Sequence, residues 1–295
     1  MHKQSIFTVI LLLIGITFGH AAPDDNTTTD SNTTTDSNTT SENNISTPLR
    51  IMPLGDSITQ GMKEFGDLDQ ENIGGYRRFL WGMLKDANRS VDFVGSERAG
   101  ESIRPIIDPD NEGHPGWRMS DINNIAYSAM MQHLPDMVLL HIGTNDLGTV
   151  SSDGIKKILD QIATYEQHSG KKTLVLVALI IDHQMHNTRI ATFNKNVKKY
   201  LQKRILSGDR IKIVDMYNEA RLTSTDYTNE MHPNDTGYWK MAHVWFRAIT
   251  VPYTHNLRLF PTTLVNSSYI KSVAFNDAAH SVTFTTKIPN TGIVF

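Results

Sequence analysis

Residues 173–181 form an apolar run that constrains the fold more than any other part of the chain. If this run is extended, both of its faces are apolar, as expected of a central strand that helices cover on both sides. Residues 137–142 form a second run of this kind. Segments with apolar residues at helical spacing, such as 152–168, lie between these runs. Strands that alternate with helices of this length form βαβ units, so we predict a three-layer α/β/α, flavodoxin-like domain with a parallel sheet.

The predicted strands cover residues 50–54, 91–95, 137–142, 173–181 and 211–214, and the predicted helices cover residues 76–84, 120–132, 152–168, 188–205 and 236–249. In sheets of this class, ligands bind beyond the carboxyl ends of the strands. Ser57, Asn145 and the loop 182–186 each follow a predicted strand directly. We therefore expect the functional site to lie at this edge of the sheet.

The N-terminal residues have the pattern of a secretory signal peptide. Lys3 precedes an apolar run at 6–18, and the small residues Ala21 and Ala22 offer a cleavage site. We predict a signal peptide at 1–21, with an uncleaved N-terminal anchor as the alternative. The run is short for a membrane span, and no later segment is long enough, so we expect a secreted protein without stable membrane insertion.

Residues 22–47 are rich in Asn and Thr and contain a repeated Asn-Thr-Thr-Thr-Asp-Ser sequence. Such a stretch buries too little apolar surface to offset its ordering entropy, so we predict a disordered spacer. The chain also carries sequons that would make it a glycoprotein in a host that glycosylates. They begin at Asn26, Asn32, Asn38, Asn44, Asn88, Asn234 and Asn266.

The globular domain is predicted to span 48–250, and a β-rich extension to span 251–295. Within the extension, residues 269–275 and 281–286 favour strands, and the turn residues between them predict a hairpin. Two strands alone are not independently stable, so the hairpin either adds to the main domain or begins a small appendage.

The composition excludes several classes of function. The chain has no cysteine, which excludes disulfides, thiolate catalysis and zinc sites built on cysteine. Its formal net charge is −3, too small to suggest nucleic acid or an anionic membrane surface as a partner. His183 and His186 are three residues apart, but no third ligand is evident, so we predict no metal and no cofactor.

Four short motifs carry the chemistry. They are Gly-Asp-Ser-Ile-Thr at 55–59, Gly-His-Pro-Gly-Trp at 113–117, Gly-Thr-Asn-Asp at 143–146 and His-Pro-Asn-Asp at 232–235. Their order and spacing resemble the four blocks of the SGNH (GDSL-type) hydrolase family over about residues 49–250. The resemblance implies the fold of that family and a serine esterase activity.

Acyl transfer needs a nucleophile, a base and donors for the developing oxyanion. Ser57 is the candidate nucleophile, and His232 is the candidate base, because the histidine pKa suits neutral pH. The oxyanion donors would be the backbone N–H of Ser57, the amide of Asn145 and, from the resemblance, the backbone N–H of Gly116, with Gly113 as the alternative. Taken singly, Ser57 could be a helix cap, His232 a structural histidine and Asn145 part of a turn.

Asn229 departs from the family pattern, which has Asp three residues before the catalytic histidine. Replacing this Asp by Asn in a serine protease lowers kcat about 10⁴-fold, chiefly through the wrong imidazole tautomer. Three possibilities follow. Asn229 or a backbone carbonyl orients His232 in a dyad; Glu230 or Asp226 takes over; or the protein is a weak or inactive esterase.

Further motifs resemble the family 3 carbohydrate esterases, which are mostly deacetylases of plant polysaccharides such as xylan. These are Asn-Glu-Gly-His-Pro-Gly-Trp-Arg at 111–118, Gly-Tyr-Arg at 75–77 and Val-Asp-Phe-Val-Gly-Ser at 91–96. We predict Asp56, Trp117 and His183 as substrate contacts. Trp117 would either stack on a sugar ring or pack in the core.

The sequence therefore predicts a secreted, monomeric serine esterase that removes short acyl groups, foremost acetyl, from an acylated carbohydrate. One alternative is a lipid esterase or lysophospholipase. The other, suggested by Asn229, is a carbohydrate-binding surface protein that retains the fold with little or no turnover.

Overall fold

The structure is a computed structural model that describes residues 6–9, 47–66, 69–146, 148–251, 270–276 and 281–286. The chain divides into two units. One comprises Ile45–Thr254, and the other combines Met1–Asn44 with His255–Phe295. The predicted spacer at 22–47 lies outside the described residues except for its last position.

Ten strands and seven α-helices occupy the described residues. The strands are β1 Ile6–Val9, β2 Leu49–Gly55, β3 Val91–Phe93, β4 Glu97–Arg98, β5 Asp110–Gly113, β6 Met137–His141, β7 Leu174–Ala178, β8 Ile211–Val214, β9 Ile270–Asn276 and β10 Ser281–Thr286. The helices are α1 Ser57–Gln60, α2 Gly75–Asp86, α3 Met119–His133, α4 Asp153–Ser169, α5 Thr188–Leu206, α6 Met216–Glu219 and α7 Asp235–Thr250.

The larger unit is built on a sheet in which β2, β6, β7 and β8 lie side by side and parallel. On its other side, β2 pairs with β3 near its start and with β5 at its end, again in parallel. The short strand β4 pairs antiparallel with β5. The predicted parallel sheet is confirmed, and the carboxyl ends of β2, β5 and β6 meet at one edge.

Two apolar cores cover the faces of this sheet. On β6, for example, Val138 and Leu140 face the core that α3, α4 and α5 cover, whereas Leu139 faces the core that α2 and α7 cover. This alternation follows from the two-residue period of a strand. Burying one such side chain stabilises the fold by roughly 1.5–3 kcal/mol. Because helices cover both faces of the sheet, both faces of a central strand can contribute in this way. The predicted three-layer α/β/α arrangement is confirmed.

Two details differ from the prediction. Helix α3 was predicted to begin at residue 120, but it begins one residue earlier, at Met119, with Arg118 at the N-cap. The Asp121 carboxylate accepts the Arg118 backbone N–H at 2.9 Å, so an acid in the first turn supplies part of the cap. Strands β4 and β5 were not predicted, because Glu97–Arg98 and Asp110–Gly113 are polar and show no strand-like alternation.

The second unit contains an antiparallel sheet of three strands in the order β1, β10, β9. The predicted hairpin is formed by β9 and β10, with Val282 opposite Phe275. Strand β1 pairs with β10 and falls within the predicted signal peptide at 1–21. Within the described residues, no helix has both the length and the apolar character needed to cross a membrane.

Candidate active site

The backbone holds Ser57 in a sharp turn at the carboxyl end of β2. Asp56 caps the short helix α1 by accepting the Ile58 N–H at 3.0 Å. A Cβ at Gly55 would lie 2.1 Å from the His141 carbonyl oxygen, so only glycine permits the close approach of β2 and β6 here. Ser57 is thereby fixed over the edge of the sheet where the strands end.

Arg77 anchors the other end of this turn. Its guanidinium is fully buried and donates hydrogen bonds to four backbone carbonyls, those of Thr59 (3.0 Å), Gln60 (2.8 Å), Ala99 (3.2 Å) and Pro109 (3.2 Å). Burial lowers the pKa of Arg77 to about 10, which leaves it charged at neutral pH. A cation at the carboxyl end of α1 also complements the helix dipole.

His232 lies against the nucleophile on the loop that precedes α7. Its Nε2 atom is 2.9 Å from the Ser57 Oγ atom. Phe65 contacts the imidazole edge-on, with ring centroids 5.1 Å apart. Burial, and then the neighbouring His183, lower the pKa of His232, so the ring is neutral at pH 7. The structure thus brings together the predicted nucleophile and base, with the base in the neutral form that general-base catalysis needs.

Asn229 contacts the other ring nitrogen through its amide nitrogen. The Asn229 Nδ2 atom is 3.2 Å from His232 Nδ1 and donates to the Lys63 carbonyl at 3.0 Å. The Asn229 Oδ1 atom accepts the backbone N–H groups of Met231 (3.0 Å) and His232 (2.9 Å). Asn229 was one of the groups expected to orient His232, which it could do as an acceptor only through its amide oxygen. The structure places the NH₂ group there instead.

The two other carboxylates considered as orienting groups are placed differently. Asp226 accepts hydrogen bonds from Thr223 and forms an ion pair with Lys240 at 2.6 Å. Its carboxylate therefore ties α7 to the loop before it. Glu230 is exposed, and its backbone carbonyl accepts the Gln184 N–H at 2.9 Å. Of these three candidate residues, Asn229 is the one that contacts His232 Nδ1.

The three predicted oxyanion donors are associated with one cavity of about 450 Å³. Asn145 donates one N–H of its amide to the Trp117 carbonyl at 2.8 Å, which leaves the second N–H for a ligand. Gly116 has φ of +77°, a conformation that strains other residues. The Asp56 carboxylate accepts the Ile58 N–H, and the Asp56 carbonyl accepts the N–H groups of Thr59 and Gln60. The Ser57 N–H is therefore the donor of this turn that remains available to a ligand.

The cavity has a polar floor and a partly apolar rim. Its lining includes five side chains that the motifs did not identify, Gln60, Met62, Phe65, Gln70 and Met231, and Phe65 keeps 63% of its surface exposed. The full lining is Ser57, Gln60, Met62, Phe65, Gly66, Gln70, Pro115, Gly116, Asn145, Met231 and His232. Those five side chains lie outside the four motifs, and single residues in short turns give no periodic signal by which the sequence could identify them.

None of the three predicted substrate contacts lines this cavity. Asp56 has no exposed surface, and its burial raises its pKa to about 7, so its prediction as a substrate ligand does not fit its position. Trp117 stacks on His114 with ring centroids 3.9 Å apart and packs against the core, which favours its packing alternative. His183 is half-buried, and its pKa is lowered by burial.

A buried carboxylate supports the loop that carries Gly116. Glu112 at the end of β5 lies 2.7 Å from His114 Nε2 and accepts both the N–H and the hydroxyl of Ser96 at 2.8 Å. His114 in turn stacks on Trp117, whose carbonyl holds Asn145. The motif at 111–118 therefore builds one connected support for two of the predicted oxyanion donors.

In the part of the chain that the structure describes, no group of three or more His, Asp or Glu side chains is arranged to hold a metal ion. His186 Nδ1 bonds instead to the Asp182 carboxylate, which also accepts the His183 and Asn187 backbone N–H groups. The 182–187 segment is thus held by its own hydrogen bonds.

Comparison with known proteins gives a family match. The model of the GDSL-like lipase/acylhydrolase family matches residues 51–245. Among curated proteins, a multidomain esterase of Ruminococcus flavefaciens is 29% identical over 234 residues, which is 68% of this chain. The match covers only 28% of the length of that esterase.

Two solved structures are similar to about two thirds of this chain. A family 3 carbohydrate esterase of Clostridium thermocellum has 31% sequence identity and a TM-score of 0.57, covering 68% of this chain and 94% of the other. An acetyl esterase mutant solved with an acetate ion has 26% identity and a TM-score of 0.57, covering 68% and 96%.

Proposed function

This chain belongs to the GDSL-like lipase/acylhydrolase family, and from that premise we propose that it hydrolyses short acyl esters, foremost acetyl esters, on carbohydrate. The observation that carries the proposal is the 2.9 Å contact between Ser57 Oγ and His232 Nε2 at the wall of an open cavity. A hydroxyl and an imidazole at this distance are in reach for proton transfer.

The reaction would proceed through an acyl-enzyme on Ser57. His232 takes the hydroxyl proton as Ser57 Oγ attacks the ester carbonyl carbon. The tetrahedral oxyanion would accept hydrogen bonds from the backbone N–H groups of Ser57 and Gly116 and from the free N–H of Asn145. When the intermediate collapses, His232 returns the proton to the departing sugar hydroxyl. His232 then takes a proton from water as the water attacks the acyl carbon, and it returns that proton to Ser57 Oγ as the free acid leaves.

Several observations support a short acyl group on a carbohydrate. The carbonyl carbon must approach Ser57 while its oxygen faces Gly116 and Asn145, all within about 450 Å³. A sugar leaving group would then lie towards the exposed rim at Phe65. The similar solved proteins are described as a carbohydrate esterase and as an acetyl esterase with acetate bound. We further propose that the protein is secreted, on the basis of its N-terminal pattern.

A second function is favoured by one observation, the contact between Asn229 Nδ2 and His232 Nδ1. An amide nitrogen at this position cannot stabilise the imidazolium that forms during catalysis. The same cavity could therefore bind acetylated carbohydrate with little turnover. The Ser57, Gly116 and Asn145 donors would hold the ester carbonyl in either case.

The test is hydrolysis of p-nitrophenyl acetate and of acetylated xylan by the purified protein and by Ser57→Ala. The proposal expects turnover that the substitution abolishes, and faster release of acetyl than of octanoyl groups. Octanoyl preference would favour the lipid esterase alternative. If neither protein releases acetate and both bind acetylated xylan in a titration, the binding function replaces the esterase proposal.

A further inference from the structure

The Asn229 amide is held in one orientation by three backbone groups. Its Oδ1 atom accepts the N–H groups of Met231 and His232 at 3.0 and 2.9 Å, and its Nδ2 atom donates to the Lys63 carbonyl at 3.0 Å. The two ends of a side-chain amide look alike in shape, so their assignment must come from their partners. Here the partners have a fixed polarity, because a backbone N–H can only donate and a carbonyl can only accept.

If the Asn229 amide were flipped, each of its three backbone contacts would bring two donors or two acceptors together. Its NH₂ would face the N–H groups of Met231 and His232, and its oxygen would face the Lys63 carbonyl. Three hydrogen bonds would be lost at a half-buried position, where unsatisfied polar groups are costly. The amide therefore presents its NH₂ group, and not its oxygen, to His232.

The orientation of the amide fixes the proton on His232. An amide nitrogen has no lone pair available to accept a hydrogen bond, and one of its two hydrogens is bound to Lys63. The other hydrogen points towards His232 Nδ1 at 3.2 Å, which requires a lone pair on Nδ1. In a neutral imidazole the single proton then lies on Nε2, the atom 2.9 Å from Ser57 Oγ.

We propose that Asn229 holds His232 in the Nε2–H tautomer, in which the ring donates to the Ser57 hydroxyl instead of accepting its proton. Asn229 is then a positioning residue that keeps the site in a slow resting state. This inference deepens the proposed function and rests on it for its kinetic consequence. The tautomer itself depends only on the four contacts of the Asn229 side chain.

The slow state affects two stages of catalysis. To act as a base, His232 must first move its proton to Nδ1, which places an N–H against the amide N–H of Asn229. After Ser57 has given up its proton, the imidazolium carries hydrogens on both nitrogens and meets the same opposition. A carboxylate at 229 would reverse both effects on the ring, because its second oxygen would accept the Nδ1–H while the first keeps the two backbone donors. That second oxygen also replaces the NH₂ group that donates to Lys63, and we expect the charge-assisted hydrogen bond to the imidazolium to outweigh the loss of this one neutral hydrogen bond.

The test compares Asn229→Asp with Thr228→Asp in the full chain. Thr228 is exposed and adjacent, so its substitution adds the same charge without reaching Nδ1. We expect kcat on p-nitrophenyl acetate to rise roughly 10²- to 10⁴-fold in Asn229→Asp, the inverse of the loss when a triad Asp becomes Asn. Thr228→Asp should change kcat by less than about two-fold, because a solvated charge is screened.

Two further readouts separate a tautomer effect from a general structural one. In ¹⁵N-histidine NMR spectra, the wild-type His232 should show a protonated Nε2 and an unprotonated Nδ1 above its pKa, and Asn229→Asp should show the reverse. In Asn229→Asp, the acidic limb of the kcat/KM profile should move to higher pH, because a carboxylate stabilises the imidazolium. A merely structural substitution would shift neither.

The outcomes separate this inference from the proposed function. A proton on Nδ1 in the wild-type spectrum would overturn the tautomer assignment, whatever the activity. An active wild type that Asn229→Asp does not accelerate beyond Thr228→Asp would overturn its kinetic consequence and leave the esterase proposal standing. If wild type and both variants fail to hydrolyse any ester, the esterase proposal fails, and the spectrum still decides the tautomer.

Discussion

The ring of Trp117 stacks on His114 with planes 12° apart, and the carbonyl of the same tryptophan holds the amide of Asn145. A buried carboxylate, Glu112, holds the edge of the same imidazole through His114 Nε2 at 2.7 Å. The conformation of the Gly116 loop and the direction of the Asn145 amide therefore depend on one chain of contacts that begins at the end of β5.

We predict that Trp117→Leu lowers kcat about ten-fold and changes KM little. The smaller side chain loses the stacking on His114, so the carbonyl that holds Asn145 is less well placed when the oxyanion forms. The measurement is the steady-state kinetics of p-nitrophenyl acetate hydrolysis. Trp239→Leu is the matched control, because Trp239 is a 46%-exposed tryptophan on α7. A rise in KM with kcat unchanged would indicate instead that Trp117 contacts the substrate.

Asn145→Ala should lower kcat by roughly 10²- to 10³-fold, the usual effect of removing one oxyanion donor. The donor matters most in the transition state, so KM should change much less than kcat. Kinetics on p-nitrophenyl acetate would measure both constants, with circular dichroism to verify folding. An equal loss of binding in the ground state would contradict the role of Asn145 as an oxyanion donor.

The pH dependence of stability should reflect Asp56. Its pKa is about 7 in the folded protein against 3.8 for the free group. As the pH rises above 4, the unfolded state releases this proton first, so the folded state is progressively destabilised up to about pH 7. The loss is of the order of 4 kcal/mol at most, from 1.36 kcal/mol for each pKa unit.

Asp56→Asn tests this expectation, because the Asn oxygen can keep the hydrogen bond from Ile58 and the group no longer ionises. In urea unfolding, the free energy of unfolding of Asp56→Asn should exceed that of wild type at pH 8 and approach it at pH 4. The difference between the two proteins should narrow as the pH falls. A difference that does not change with pH would show that Asp56 does not titrate in this range.

Phe65→Ala should affect carbohydrate substrates more than small esters. The ring is exposed beside the nucleophile, and an aromatic face of this kind can pack against a sugar. We expect kcat/KM for acetylated xylo-oligosaccharides to fall about ten-fold further than for p-nitrophenyl acetate. A ten-fold loss corresponds to about 1.4 kcal/mol of contact. Phe65→Leu controls for the contact with His232, and an equal loss on both substrates would argue for that contact alone.

The elements that bury apolar surface were predictable from the sequence. Strand β7 and helix α4 have apolar patterns that arise from packing on the sheet. The bounds of α4 agree with the prediction to within one residue, whereas β7 ends at Ala178, three residues before its predicted end. The strand pattern placed Ser57 at the end of a strand, the motifs identified His232, and the structure brings their side chains together. Local pattern was sufficient here because the parallel sheet gathers its carboxyl ends at one edge.

Features that depend on distant partners were not predictable. The orientation of the Asn229 amide depends on the Lys63 carbonyl, which is remote in sequence and contributes only a backbone atom. Trp117 was equally compatible with a sugar or with the core until the position of His114 was known. Asp56 precedes the nucleophile, which suggested a contact with substrate, but its carboxylate turns inward to cap α1.

The four hydrogen bonds of Arg77 have a consequence for how the protein opens. They connect α1 to two other segments at Ala99 and Pro109, so α1 cannot unfold locally without leaving a buried cation unsatisfied. The short helix that carries Ser57 therefore belongs to the most cooperative unit of the domain. The hydrogen-bonded amides of Ile58, Thr59 and Gln60 should exchange with solvent only when the whole domain unfolds, unlike those of most segments of this length.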